Sequence, residues 1–411
     1  MSIAIWYEGV RVASIEDGPF LRYDPAWLIS PDAFPISLRM PLGDADVPAE
    51  TLIRWLQNLL PESGPLDTIG RTLGVARGDI LGLLERTGRD TAGALTIGTN
   101  EIGETPGYRA VPDDEALVRI MDSLPARPFL MGEEGVSMSL AGAQDKLPVA
   151  LADGRIAVPI HGAPSTHILK PDNPRLSGSV QNEALCLVLA RLCGLRAAEV
   201  TTGKAGARSF LLVTRFDRVP AIPHWHRLHQ EDFCQALGRP PSAKYQHNQI
   251  GTPGPSLVDF FGLTRICMTG ADTLRLLDAV IFNVLIGNVD SHAKNYSMLI
   301  DRASFRFAPL YDLMCGATWE SVTLNHAQDI GDQRRGLHIH QRHWQRMAAD
   351  CGLNATATTR RVVRMADLVL SRLDRAIEAV RALPAGDHYI LAMARDEIRK
   401  LCVTIGRNAQ G

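Results

Sequence analysis

No stretch of this 411-residue sequence is apolar over the roughly 18 residues that a membrane-spanning helix needs. The best, Leu276 to Ile286, is interrupted by Asp278 and Asn283. The N-terminus, MSIAIWYEG, has no basic segment followed by an apolar one, so no export signal is expected. No CxxC pair occurs. The seven cysteines, an odd number, stand singly among apolar neighbours. That argues against a zinc site or a disulfide framework and fits buried thiols in a reducing cytoplasm. Charge of one sign is not in excess. The 43 Lys and Arg against 45 Asp and Glu give a net charge of −2. The whole chain is therefore drawn neither to nucleic acid nor to an anionic membrane, although local basic patches stay open. Internal repeats, low-complexity stretches and a GxGxxG loop are missing as well.

What is present is enough apolar material, 45% of residues, to outgrow one ordinary core, so two or three domains are expected. Ser2–Tyr7 and Val10–Ile15 flank Glu8-Gly9 and read as a hairpin. Helices are expected at Ala49–Leu60 (stopped by Pro61), Asp67–Leu73, Arg77–Glu85 and Asp113–Ser123, with a strand at Gly93–Gly98. Leu124–Gly135, with its prolines and glycines, reads as a linker. Strands follow at Leu147–Leu151, Ile156–Pro159, His167–Lys170 and Ala207–Asp217, with a long helix at Gln181–Leu192. Beyond Leu228 the pattern is helical except for a hairpin over Ser297–Ile300 and Ser304–Leu310. The expected fold is α+β. A small α/β subdomain over 1–130 precedes a strand-rich lobe over 137–227 and a helical lobe over 228–411. Such an arrangement suits a nucleotide cleft between the lobes.

The sharpest chemical signal is Asp290-Ser-His-Ala-Lys-Asn295, after the long apolar helix Asp272–Gly287. An Asp and an Asn five residues apart have the spacing of a kinase catalytic loop. The carboxylate can orient the attacking hydroxyl, and the amide oxygen can hold a Mg²⁺ bridging phosphates. The following hairpin delivers Tyr311-Asp312-Leu313, where a kinase places a second Mg²⁺ ligand. Upstream, Lys170 ends an apolar strand and can reach the α- and β-phosphates, and Glu183 in the next helix can pair with it. Before them, Ser139-Leu-Ala-Gly-Ala-Gln-Asp-Lys146 is a small-residue loop whose amides can approach phosphate oxygens, with Lys146 adding charge. Each feature alone has an ordinary reading as a turn, a cap or a surface charge. Their order, loop, Lys, helix Glu, strand, Asp…Asn, Asp, is that of a kinase.

At these residues the sequence resembles the HipA family, the toxin kinases of bacterial HipBA toxin–antitoxin modules. SLAGAQDK, THILKP, VTRFDR, LHQEDFCQALG, IGNVDSHAKNYS and LYDLM carry the likeness, and FPISLRMPLG and NLLPE resemble the family's N-terminal subdomain. The resemblance implies a two-lobed kinase fold and ATP- and Mg²⁺-dependent phosphorylation of protein serine or threonine. It implies Asp290 as catalytic base, Asn295 and Asp312 on Mg²⁺, and Lys170 on the ATP phosphates. Ala141, Gly142, Ala143, Gln144, Asp145 and Lys146 would form the phosphate loop. Thr214, Arg215 and Phe216 would be the hinge holding adenine, with Gln230, His292, Lys294 and Tyr311 also lining the site. Ser139 matches the family's autophosphorylated serine, and Ser137 is a second candidate. The implied targets are aminoacyl-tRNA synthetases, with glutamyl-tRNA synthetase the family's best-known example, and the outcome is growth arrest. The implied partner is a HipB-like helix-turn-helix antitoxin, through which operator DNA is contacted. Thr214, where relatives can carry an acidic residue, and Cys315, where a serine is expected, depart from the pattern.

Other features read plainly. His338, His340 and His343 lack a fourth zinc partner and read as polar surface. His224 and His226 beside Trp225 read as structural, and Arg360, Arg361 and Arg364 as a solvated helix face. Two further functions fit parts of the sequence: a non-catalytic, ATP-binding co-repressor, and a small-molecule phosphotransferase.

Overall fold

The structure, a computed structural model, describes residues 2–16, 18, 20–98, 105–221 and 225–411. His224 lies outside them.

The N-terminal unit opens with β1 (Ile3–Tyr7) and β2 (Val10–Glu16), paired antiparallel. Glu8 and Gly9 both take positive φ, +47° and +86°. That is the geometry of the hairpin turn whose twist matches its strands, and glycine relieves its second position. β3 (Phe20–Tyr23) extends the sheet on one side, and β4 (Thr96–Ile97), shorter than the expected strand, on the other. α1 (Pro25–Ile29), α2 (Ala49–Gln57), α3 (Ser63–Leu73) and α4 (Ile80–Thr87) cover it. α2 buries Leu52, Trp55 and Leu56 and ends before Leu60. α4 begins at Ile80 rather than Arg77 because the Asp79 carboxylate caps the Gly82 N–H at 2.9 Å.

The second sheet has the order β5-β7-β6-β8-β10-β9 and is antiparallel throughout. Its strands are β5 (Gly107–Ala110), β6 (Leu147–Ala152), β7 (Arg155–Ile160), β8 (His167–Pro171), β9 (Val200–Ala205) and β10 (Arg208–Thr214). β5 pairs with β7, so residues 107–110 join this sheet although the sequence placed them in the first domain. α5 (Asp114–Ser123) follows β5, and α6 (Ser179–Leu192) follows β8. The segment 124–135 is not the expected linker. Phe129, Leu130 and Met131 are buried there, the first two at φ near +56°. Apolar burial holds a conformation that Pro and Gly in the sequence suggested was loose.

After β10 come β11 (Arg218–Pro220), β12 (Trp225–Arg227) and β13 (His229–Asp232), then α7 (Phe233–Ala236), α8 (Leu257–Cys267) and α9 (Gly270–Leu285). β13 was expected to be helical, but it pairs with β14 (Ser297–Ile300), which pairs with β15 (Phe305–Phe307). A further hairpin, β16 (Asn325–Ile330) and β17 (Gln333–Arg335), was likewise not expected. α10 (Gln341–Asp350), α11 (Ala355–Arg381) and α12 (Ile390–Gln410) complete the lobe. α11 buries Val362, Met365, Ala366, Val369, Leu373, Ala376, Ile377 and Val380, the stripe of an amphipathic helix, against α12 and α6.

The two polar residues that interrupt the apolar helix α9 have partners. Asp278 holds Arg361, whose second nitrogen lies 2.6 Å away, so Arg361 is a paired residue and not part of a solvated face. Asn283 bonds the Tyr296 hydroxyl and Asn288, both at 2.9 Å. At the start of α10, the backbone N–H of His340, its N-cap, donates to His343 Nδ1 at 2.8 Å.

Candidate active site

A cavity of about 410 Å³ lies between the second sheet and the helical lobe. The turn after α9 positions its floor. Gly287, at φ +69°, lets the chain reverse, and Asn288, held by Asn283, accepts the Asp290 N–H at 3.3 Å. Asn295 donates its amide N–H to the Asp290 carbonyl at 2.8 Å, which leaves its amide oxygen for another ligand. Burial raises the Asp290 carboxyl, the Tyr245 hydroxyl that donates to it lowers it, and nearby Asp312 raises it; the net direction is up.

The wall opposite is built by β8 and α6. Lys170 Nζ lies 2.7 Å from Glu183 and 2.7 Å from Asp312. Burial alone would lower the Lys170 pKa, but Asp312 and Glu183 outweigh it and hold the ammonium charged. Burial likewise opposes the Asp312 charge, and Lys170 with Lys146 overcomes it, so that carboxyl sits far below its ordinary range. Asp312 is at φ +56°, a conformation few non-glycine residues adopt and one that costs of order 1–3 kcal/mol. Burial and the neighbouring Lys170 push Lys146 down to about 8, against Asp312, Glu62 and Glu183. Its Nζ donates to the Ala141 carbonyl at 2.6 Å.

Most of the expected residues line this one cavity: Ala141 to Gln144, Lys146, Lys170, Thr214 to Phe216, Gln230, Asp290, His292, Lys294, Asn295, Tyr311 and Asp312. Asp145 does not line it. Phe216 and Tyr311, with ring centroids 5.7 Å apart, are aromatic members of its wall. His292 is buried with Nδ1 unpartnered among the described atoms, and burial first, then Lys244, holds it neutral.

Two expected ligands have other work. The three Lys294 donors are taken by the Asn58 carbonyl (3.1 Å), the Asn58 side chain (2.9 Å) and Asp232 (2.6 Å). The Arg215 guanidinium bonds Asp217 (2.7 and 2.9 Å), Ser165 (2.9 Å) and Thr91 (2.8 Å). It sits in a buried charge cluster with Asp217, Arg218 and Asp90. Burial would raise the Asp217 carboxyl, but Arg215 and Arg218 hold it well below its usual range. The Gly93 N–H and Gln230 amide also donate to Asp217, at 2.8 and 2.9 Å. The cluster ties residues 90–93 of the N-terminal unit to the segment 215–218.

β13 makes the same tie by alternation, since successive strand residues face opposite sides. His229 bonds the Ile36 carbonyl at 2.8 Å, and Glu231 accepts from Ser37, Leu38 and Trp55 of the N-terminal unit. Gln230 and Asp232, between them, bond Asp217 and Lys294.

Ser139 is fully buried: its N–H donates to the Asp90 carbonyl at 3.0 Å and its hydroxyl to the Leu59 carbonyl at 2.9 Å. Ser137, half-buried, donates to the Arg86 carbonyl at 2.8 Å. Among the lining residues that sequence reasoning missed, three lie near the Asp290 carboxyl. Glu62 and Lys244 pair at 2.7 Å, and Tyr245 donates to Asp290. They come from segments with no chemical motif of their own, although Glu62 ends the NLLPE run.

Residues 138–377 match the HipA-like C-terminal domain family, and residues 3–98 match the HipA N-terminal domain family. "Putative kinase Y4mE" of Sinorhizobium fredii is 37% identical over 387 residues, covering 91% of each chain. The serine/threonine-protein kinase toxin HipA of Shewanella oneidensis is 31% identical over 325 residues, covering 76% of this chain and 73% of that one. Among solved structures, the Shewanella oneidensis MR-1 HipA, HipB and operator DNA complex matches with a TM-score of 0.85 at 26% identity, over 97% of this chain and 96% of that chain.

Proposed function

The chain belongs to the HipA family, and from that premise we propose that it transfers the γ-phosphate of ATP to a serine or threonine of a protein and to its own Ser139. The observation that carries this reading is the convergence of Asp290, Lys170–Glu183, Asp312 and Asn295 on one cavity. Two neutral or anionic oxygens, from Asn295 and Asp312, are hard donors that fit Mg²⁺, whose other positions phosphate oxygens and water would fill. Bound there, Mg²⁺ would neutralise charge between the β- and γ-phosphates.

The chain's own residues do the remaining work. Lys170 and Lys146 offset phosphate charge, and the Ala141–Ala143 amides cradle the phosphates. Asp290 takes the proton of the acceptor hydroxyl as its oxygen bonds to the γ-phosphorus. The bond from that phosphorus to the leaving oxygen breaks, and ADP departs with the electron pair. Because Lys146 is a cation only below about 8, ATP affinity of the free protein is expected to fall as pH rises through that value. The loss should approach about tenfold, the worth of one charge-assisted hydrogen bond. Calorimetric titrations at pH 7 and pH 9 test this, and Lys146→Met should flatten the difference.

A phosphate on Ser139 would bring nearly two negative charges into a site that holds only a hydroxyl against a carbonyl. The loop 139–146 would leave its place, and ATP affinity would drop by at least about tenfold. Phosphorylation at Ser139 thus switches the protein off. The proposed targets are aminoacyl-tRNA synthetases, glutamyl-tRNA synthetase among them, with growth arrest as the consequence. The proposed partner is a HipB-like antitoxin that reads operator DNA, by analogy with the Shewanella complex.

The test is intact mass and tryptic mapping of wild type and Asp290→Asn after incubation with Mg·ATP. One phosphate on the Ser139 peptide, in wild type only, supports the reading. A starting material already phosphorylated at Ser139 would give no gain and is recognised from its initial mass. Unphosphorylated protein that stays so sinks the kinase reading in favour of a co-repressor.

A further inference from the structure

A second cavity, of about 380 Å³, meets the first at Leu176, Tyr245, Asn288, Asp290 and Met314, which line both. Lys170, Lys146 and the phosphate loop line only the first. A nucleotide in the first cavity leaves the second as the approach to Asp290. At that junction the Tyr245 hydroxyl donates to Asp290 Oδ1, the place an acceptor hydroxyl must take. Beyond it Val289, Trp319, Val322 and Ala327 give apolar wall, while of the polar residues that also line it beside Asn325, His247 bonds Asp329, His326 the Asn288 carbonyl and Thr323 the Asn325 N–H. Arg334 also lines the cavity, and its guanidinium has no ion-pair partner among the described residues.

We propose that this cavity receives the side chain next to the acceptor residue of a polypeptide substrate, and that it selects a large apolar one. The proposal rests on the kinase reading above and names the class of acceptor for it. A cationic flanking side chain would lose its hydration against Val289, Trp319 and Val322 and would face the Arg334 guanidinium. An apolar one gains their contact, and even one methylene in such a pocket is worth about 10–200-fold in kcat/KM. Arg334 can hold a main-chain carbonyl or carboxylate of the same segment. The chain's own candidate acceptor has the required neighbours: Ser139 stands between Met138 and Leu140.

The probe is a synthetic peptide of residues 133–145 carrying Ser137→Ala, offered with Mg·ATP to the full chain. Versions with Met138→Lys, Leu140→Lys, or Phe at either position are compared by kcat/KM. Loss of at least about tenfold for one of the two lysine peptides is expected. In the protein, Val322→Phe should fill the cavity and abolish that preference with ATP affinity unchanged. Val322→Ala, which enlarges it, should raise kcat/KM for the Phe peptide at the selected position. Equal rates for all peptides, a preference untouched by both Val322 variants, or N-acetylserinamide phosphorylated as fast as the parent peptide would overturn the proposal. Self-phosphorylation without peptide turnover overturns it while the kinase reading stands. No phosphate on any acceptor, the chain included, overturns both.

Discussion

Replacing Asp290 by asparagine is expected to slow phosphoryl transfer by about 10²–10⁴-fold, the usual worth of a positioned general base, while leaving ATP binding nearly intact. The substitution is close to isosteric, and an amide oxygen can still accept from Tyr245. Asn288, which holds the loop through the Asp290 backbone, is untouched. What disappears is the ability to take the acceptor's proton. In the proposed function the nucleotide contacts come from elsewhere, chiefly Lys170, Asp312 and the loop 141–146, so affinity should stay within about twofold, well under the 1.4 kcal/mol that a tenfold change represents. Single-turnover kinetics and calorimetry on the same preparation separate the two quantities. A large loss of ATP affinity in Asp290→Asn would mean that this carboxylate holds nucleotide and is not the base. Lys170→Met makes the contrast, because it strands both Glu183 and Asp312 and should reduce affinity and rate together.

Asp217→Ala is expected to be the most damaging single change away from the phosphates. Asp217 is buried and is the shared acceptor for Arg215, Arg218, Gly93 and Gln230. Its removal leaves two guanidinium groups short of a counter-charge in a dry site, with Asp90 alone to face them. Breaking a buried pair in this way typically destabilises by about 3–5 kcal/mol. The cluster joins the N-terminal unit to the segment 215–218, so the loss should appear as earlier release of residues 88–98. Hydrogen exchange of the Gly93 amide, alongside a thermal melt, measures both. Unchanged protection at Gly93 would show that the cluster does not hold this junction.

The residues that converge on the cavity could be read in the sequence because the proposed phosphoryl transfer restricts their types and spacing. Asp290 and Asn295 must share a short loop, and Lys170 must end a strand beside a helix bearing Glu183. Roles set by distant partners could not be read that way. Nothing local in VTRFDR shows that the Arg215 side chain turns from the nucleotide to Asp217. Nothing in HAKN shows that Lys294 is claimed by Asn58, 236 positions away. Glu62, Lys244 and Tyr245 reach the site only through tertiary folding. Helices with capping residues were located to within a few positions, as with Asp79 before α4. Short polar strands such as β13 and β17 were not, since pairing rather than propensity makes them strands. The segment 124–135 failed for a related reason: its turn residues were legible, but the burial of Phe129 to Met131 was not.

The alternation along His229 to Asp232 has a consequence for how this protein can vary. Its odd positions grip the N-terminal unit and its even positions bond Asp217 and Lys294. Losing or gaining one residue within these four would exchange the two sets, sending Glu231 toward the cleft and Gln230 toward Trp55. Descendants of this chain can change letters here one at a time, but not the count. Length variation should collect instead in exposed turns such as 248–253, where no strand parity is at stake.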